Sequence, residues 1–570
     1  MYPLQLQHKH FIVSFLGMLI FSALTLILST PPELFHFSAT AGLNLSKEIM
    51  SSPLHLSDDV MISLRAGNIF NETGIPAFNR TDIAQPSTSY LSPYLFALIS
   101  RIFSSNISVF VYAGLGFLAV ALTFFIIIYS AKSRLNGLIL VTALTVSTTN
   151  TGFALNGWDH LFQGLFLSLA AAITLASAQK MPVILALCLS FGSLFRPDGA
   201  IIATSILVSL FLSRKNDFKF TAYVSFQFIA LILVVLFINY MQFGHLTPTT
   251  ARLKLGAAPS LQYQFSYLIK NGLLTCSAIT ITTLISLFYF KFHKLLDSRR
   301  SLPIVIGCAI TALIAAINSD AFVGGRMFWA PAVVLCTTIG ICTPSLVQFS
   351  SVHFKSSVYL TEDFAAYNRA GFYFKCCFAF IVLLLAISGG AFLLQTQRSN
   401  SVISWRNFHN SPTAQQFRVA KWIDENLNPK DGAIGMYYLG VGFHIPRFEL
   451  ADFLGKADET IANSGLKWGP PGHNKWDTDK TLNKWPLQAI IPPRNGDYTI
   501  PENLEKAKIE LDKKSDYGFG PDLIVNNRVQ DRFAYCYIRS KPNEPNDTLG
   551  FYLKKELVGA NQASLTCFTK

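Results

Sequence analysis

Two adjacent carboxylates open the stretch of this 570-residue sequence with the clearest chemical potential. It reads Ser57-Asp58-Asp59-Val60-Met61-Ile62-Ser63-Leu64-Arg65, with both acids just ahead of an apolar helical pattern. Ser57 or Asp58 would serve there as a helix cap, because a first helical turn favours acids. The same pair suits general-base chemistry. One carboxylate would take the proton of an attacking hydroxyl, while the other orients it or holds a cation. Partial desolvation at a membrane surface would raise such a carboxylate's pKa toward a working range.

Four further constellations each carry two readings. Asn156-Gly157-Trp158-Asp159-His160 is either an interfacial tryptophan with a helix cap or a polar pair facing a substrate. Arg196-Pro197-Asp198-Gly199 is either a bare turn or a guanidinium held at the depth of a lipid phosphate, whose geometry it fits. The stretch from Gly244 to Lys254 contains His245, Arg252 and Lys254. Its two cations are either loosely solvated or matched to a phosphate. Asn318 to Arg326 sets Asp320 and Arg326 in one short loop, as a local ion pair or as parts of a site. None of these is specific alone. Their joint weight comes from lying on one side of one membrane.

That membrane follows from composition and pattern. Apolar residues make 51% of the chain and charged residues 14%, against about 25% in a soluble domain. About eleven apolar runs approach the length of a membrane-crossing helix. They lie near 11–29, 108–129, 135–149, 160–177, 181–195, 199–213, 221–240, 273–290, 302–317, 327–343 and 376–395. The first is read as an uncleaved anchor, because Ser29-Thr30-Pro31-Pro32 makes a poor cleavage site. Lys and Arg concentrate in alternate loops (Lys132 and Arg134; Arg214, Lys215 and Lys219; Lys291, Lys294, Arg299 and Arg300). This puts the N-terminus in the cytoplasm and, with an odd number of spans, the C-terminus outside. The net charge of +13 is explained by these loops, and nucleic acid is excluded as a partner.

A membrane module is therefore expected over 1–395, including an outer loop at 30–107, and a polar extracytoplasmic α/β domain over 396–570. In the tail, Gln415–Asn426 reads as an amphipathic helix, and Ala433–Tyr438 and Pro521–Val525 read as strands. Pro and Gly clusters at Gly469–Gly472 and Pro492–Pro493 mark loops. Of nine cysteines, seven lie in or beside apolar runs and read as small buried hydrophobes. Cys536 and Cys567 lie in the tail, where an oxidising compartment would allow a disulfide without requiring one.

These residues resemble the GT-C fold glycosyltransferases that use polyprenyl-phosphate sugars, especially the branch of the mycobacterial terminal arabinofuranosyltransferase. Asp58 to Arg65 is similar to that branch's Asp-Asp-Ala-Tyr-Ile-Ser start, and Ser89-Tyr90-Leu91-Ser92-Pro93 to its Tyr-Thr-Ser-Pro-Leu. Arg196 to Gly199 resembles its Arg-Pro-Glu-Gly turn, and Gly244 to Lys254 its Tyr-Gly-x-x-x-Pro-Asn-Thr-x-x-Ala-Lys stretch. Asp320 to Arg326 resembles its Gly-Asp…Gly-x-Arg-Phe loop. In the tail, Asp452 to Asp458 resembles Asp-x-x-Gly-Leu-x-Asp, and Gly472-His473-Asn474-Lys475 resembles Gly-His-Glu-Lys. The sequence departs from the pattern at Asp159, Thr249 and Asn474.

The resemblance implies a GT-C-like membrane fold of a bacterial inner membrane with a periplasmic tail. It also implies inverting transfer from a polyprenyl-phosphate sugar to an envelope glycan or glycolipid. Asp58 and Asp59 would be catalytic, and Arg196, Arg252, Lys254 and Arg326 would meet the donor phosphate. Arg65, Tyr90, Asp159, His160, His245, Asp320 and His473 would meet substrate. No cofactor is required by this reading, and a divalent cation at the acid pair stays open. Two other classes compete: a flippase or transporter of a lipid-linked glycan, and a non-catalytic glycan-binding membrane protein. A flippase would place ionisable residues inside its spans.

Overall fold

The computed structural model describes residues 11–22, 56, 58–132, 134–147, 157–176, 181–213, 218–255, 298–318, 326–342, 412–465, 475–492, 523, 526–538, 550–561 and 564–568. The chain divides into two compact units. The first comprises 1–38, 113–235 and 261–402, and the second 39–112, 236–260 and 403–570.

The described residues of the first unit are helical. Gly199–Ser213 packs along Ser298–Asn318, and Asp159–Leu175 lies between Pro182–Phe195 and Trp329–Cys342. Among the described residues, two helices, Ile107–Ser130 and Phe218–Phe243, are long and apolar enough to cross a membrane. Only 17% of the apolar window in Phe218–Phe243 is buried. Phe226, Phe237, Leu233 and Met241 all stand exposed along it. A helix with so much bare apolar surface is stable where its surroundings are apolar. Phe11–Ser22, Asp159–Leu175, Pro182–Phe195, Gly199–Leu212, Arg300–Ala315 and Arg326–Cys342 are shorter apolar helices. The expected spans at 273–290 and 376–395 lie outside the described residues.

The second unit is built on a six-stranded mixed sheet in the order β2-β1-β3-β5-β4-β6. The strands are β1 (Ala433–Met436), β2 (Leu450–Asp452), β3 (Leu487–Ile491), β4 (Phe533–Ile538), β5 (Phe551–Lys554) and β6 (Leu565–Phe568). β1 runs parallel to both β2 and β3, and the β3-β5-β4-β6 pairings are antiparallel. One face packs on Val419, Ala420, Trp422 and Ile423 of the Pro412–Asn426 helix, which puts its apolar stripe inward as the sequence periodicity requires. The other face packs on Trp476, Leu482, Trp485 and Val529. Cys536 and Cys567 are directly opposite in the β4–β6 pairing and form a disulfide. The strand expected at 521–525 and the loop expected at 469–472 fall on residues that are almost all outside the described set.

One expected boundary changes. The first loop had been assigned to the membrane module, yet residues 39–112 belong to the same unit as the tail. The physical reason is the Asp58–Thr73 helix, whose Ile62 enters the core on the Pro412–Asn426 side of the sheet together with Phe78. Asn79 pairs its side-chain amide with the backbone of edge strand β2. Its Nδ2 donates to the Leu450 carbonyl at 2.8 Å, and its Oδ1 accepts from the Leu450 N–H at 2.9 Å. That pairing continues the ladder and covers an otherwise open sheet edge.

Candidate functional site

Asp58 and Asp59 occupy the first turn of the Asp58–Thr73 helix, where the helix dipole favours negative charge. Asp58 Oδ1 accepts from the Gly440 backbone N–H at 2.6 Å. Its Oδ2 accepts from Lys456 Nζ at 3.2 Å. The same ammonium reaches Asp59 Oδ1 at 3.4 Å. Lys456 thus bridges one oxygen of each acid. The side-chain exposures rise outward, from 5% for Lys456 through 13% for Asp58 to 26% for Asp59.

Burial pushes the Asp58 carboxyl above the usual carboxylate range. Lys456 and the Gly440 N–H oppose that shift, and Asp59 adds to it. For Lys456, the charges of Asp58 and Asp59 outweigh burial and hold it as an ammonium. Asp58 is therefore a desolvated carboxylate next to a fixed cation, with a raised pKa and an edge still open to solvent. Such a group is suited to accept a proton.

Each partner is delivered by a defined local structure. Gly440 lies in the 3-10 turn Leu439–His444. A β-carbon at Gly440 would come within 2.8 Å of the Cα, carbonyl O and Oδ1 of Asp58, so only glycine admits this approach. Lys456 follows β2 in a tight loop organised by Asp452. Asp452 Oδ1 accepts from the Leu454 N–H at 2.8 Å, and its Oδ2 from the Ala457 N–H at 2.5 Å. Gly455 takes the left-handed conformation at φ +73° that the loop requires. Burial raises the Asp452 carboxyl to about 7. Asp458 ends the loop by capping Glu459–Ala462 and accepting from Lys484 Nζ at 2.9 Å.

Arg65 is seven positions after Asp58, on the same helix face. It had been expected to meet substrate, but its guanidinium is buried and donates to backbone carbonyls: Phe78 at 3.0 Å, Gly442 at 2.5 Å, Phe448 at 2.7 Å and Ile445 at 3.4 Å. Burial lowers its pKa to about 9. Asp58 and Arg65 together hold the 439–448 segment at two points, and Arg65's visible role is to fix the turn that presents Gly440.

The other expected site residues fall into two groups. In the second unit, Arg252 pairs with Glu459, which also accepts from Thr249 Oγ1 at 2.6 Å and lies 3.9 Å from His245 Nε2. Tyr90 donates through its hydroxyl to the Leu246 carbonyl at 2.9 Å, and the Thr249 N–H donates to the Gln85 carbonyl at 3.1 Å. Lys254 lies on the same Thr249–Leu255 helix as Arg252. In the first unit, Arg196 Nε donates to Asp198 Oδ1 at 3.2 Å, and Gln163 Nε2 donates to the same oxygen at 3.1 Å. Arg326 is buried with its guanidinium 3.8 Å above the Trp158 ring. Asp159 and His160 begin the adjoining helix. Asp320 and His473 lie outside the described residues.

Lys456 and Glu459 are the residues that sequence reasoning missed. The signal available was weak: Lys456 lies between Gly455 and Ala457, in a stretch with acids at both ends. Among the described residues, no group of three or more His, Cys, Asp or Glu side chains is placed to hold a metal ion.

No protein-family model matches the chain, and no curated protein matches it. Solved structures similar to it include the following two. The crystal structure of ArnT from Cupriavidus metallidurans bound to undecaprenyl phosphate shares 12% identity at a TM-score of 0.46, covering 78% of this chain and 87% of that one. The same protein in the apo state shares 11% identity at a TM-score of 0.44, covering 74% and 87%.

Proposed function

We propose that the chain is a multi-pass glycosyltransferase of a bacterial inner membrane. It would move a sugar, with inversion, from a polyprenyl-phosphate donor to an envelope glycan or glycolipid on the periplasmic face. The observation that carries this reading is the buried Asp58, raised in pKa and held by Gly440 and Lys456 beside the more exposed Asp59. In this reaction the acceptor hydroxyl gives its proton to Asp58. Its oxygen bonds the anomeric carbon as the bond from that carbon to the phosphate oxygen breaks. The polyprenyl phosphate leaves with the electron pair. A glycosyl phosphate has a good leaving group, so a base, positioning and positive charge near the phosphate suffice. Arg196, Arg252, Lys254 and Arg326 are the proposed cations, although Arg252 must then share its charge with Glu459.

The disulfide in the tail supports a non-cytoplasmic location, and the exposed apolar length of Phe218–Phe243 supports membrane insertion. The test is Asp58→Asn in membranes carrying the full chain. Sugar transfer from a polyprenyl-phosphate donor should fall by about 10²-fold or more, with unchanged expression and melting of the folded protein. Undiminished transfer would remove the assigned base.

A further inference from the structure

We propose that Lys456 is the built-in cation of the Asp58–Asp59 pair, a positioning residue whose ammonium takes the place a divalent metal ion would occupy between two carboxylates. The inference deepens the reading of Asp58 as base and rests on it. Three features carry it. First, the ammonium is shared, at 3.2 Å from one acid and 3.4 Å from the other, which is bridging and not a single ion pair. Second, it lies on the buried side of the pair, with side-chain exposure rising from 5% for Lys456 to 13% for Asp58 and 26% for Asp59. Third, its position is over-determined. Asp452 ties down the Leu454 and Ala457 N–H groups on either side of it, and the Gly440 N–H fixes the remaining oxygen of Asp58.

Charge arithmetic gives the reason. With no cation between them, each of two neighbouring carboxylates disfavours ionisation of the other. Asp452, which also acts on Lys456, adds a third acid to the neighbourhood. A lysine brings one compact positive charge on a tether, with no dissociation and no dehydration of a metal ion. The predicted consequence is a transferase whose acid pair keeps its geometry when divalent ions are removed.

The test uses the purified full chain and Lys456→Ala. The melting temperature of the unsubstituted protein should not respond to EDTA or to calcium. Lys456→Ala should melt lower and recover on adding calcium or methylammonium, and adding Asp58→Asn with Asp59→Asn should abolish the recovery. In membranes, Lys456→Ala should lose at least about tenfold in transfer and regain it with the same additives, while Lys456→Arg retains more. Loss of transfer by the unsubstituted protein in EDTA would overturn the proposal. So would a calcium-dependent melting shift in that protein, or full transfer by Lys456→Ala. Undiminished transfer by Asp58→Asn would overturn the base assignment alone, and the melting responses would still decide whether Lys456 replaces a cation. Those responses in the unsubstituted protein serve even if Lys456→Ala does not fold.

Discussion

Replacing Arg65 by methionine should destabilise the second unit sharply although it touches neither acid of the site. Methionine fills most of the volume but donates nothing, so the carbonyls of Phe78, Gly442 and Phe448 lose donors now at 3.0, 2.5 and 2.7 Å. Each abandoned buried acceptor costs roughly 1–3 kcal/mol. Against that, burial has pulled the guanidinium down to about 9, so removing the charge returns part of the loss. The Gly442 carbonyl keeps the Ile445 N–H at 3.2 Å, so taking the low end for the Phe78 and Phe448 carbonyls leaves about 2 kcal/mol. For a unit of this size that corresponds to a fall of about 4–8 °C in Tm. Tryptophan fluorescence of the full chain in detergent reads it directly, because Trp422, Trp476 and Trp485 lie in the two cores of the sheet. Arg65→Lys should fall between, keeping the charge but losing the fork that reaches several carbonyls. A change under about 2 °C for Arg65→Met would refute the argument that these bonds hold the 439–448 segment.

Two further outcomes are expected. If Asp58 is the proposed base, Gly440→Ala should cut transfer by about 10²-fold, because its new carbon meets Asp58 at 2.8 Å and must displace it; equal transfer rates for the two proteins would rule out this contact as essential. Asp452, held at about 7 when folded, favours the folded state fully only below the ordinary carboxyl value of 3.8, and that stabilisation is lost as pH rises through 7. The melting advantage of the unsubstituted protein over Asp452→Asn should therefore shrink from about pH 5 to about pH 8; a gap that widens over that range would contradict the raised pKa.

Legibility from sequence followed distance along the chain. The Asp58–Asp59 pair was visible because its signal is local: two acids at the head of an apolar helix. The Pro412–Asn426 helix and strand β1 were visible for the same reason, through their own periodicity. Lys456 was not, since its partners precede it by nearly four hundred residues. Arg65 was given a substrate role only through the family resemblance, and its acceptors are main-chain carbonyls that no side-chain pattern encodes. Strands β2, β4, β5 and β6 escaped notice because they are short and several of their residues are polar or aromatic, so alternation is weak. Glu459 was missed because its partners Thr249 and Arg252 are contributed by a segment more than two hundred residues away.

The separation of Asp58 from Gly440 and Lys456 by 382 and 398 positions also sets the timetable of biosynthesis. When the acid pair emerges from the ribosome, neither its amide donor nor its ammonium yet exists. Closing so long a loop comes late in folding. The nascent chain must carry an unbalanced pair of carboxylates until only about its last hundred residues remain to be made. Truncated or stalled products would thus lack the ammonium of the acid pair, which arrives only once translation has passed the loop after β2.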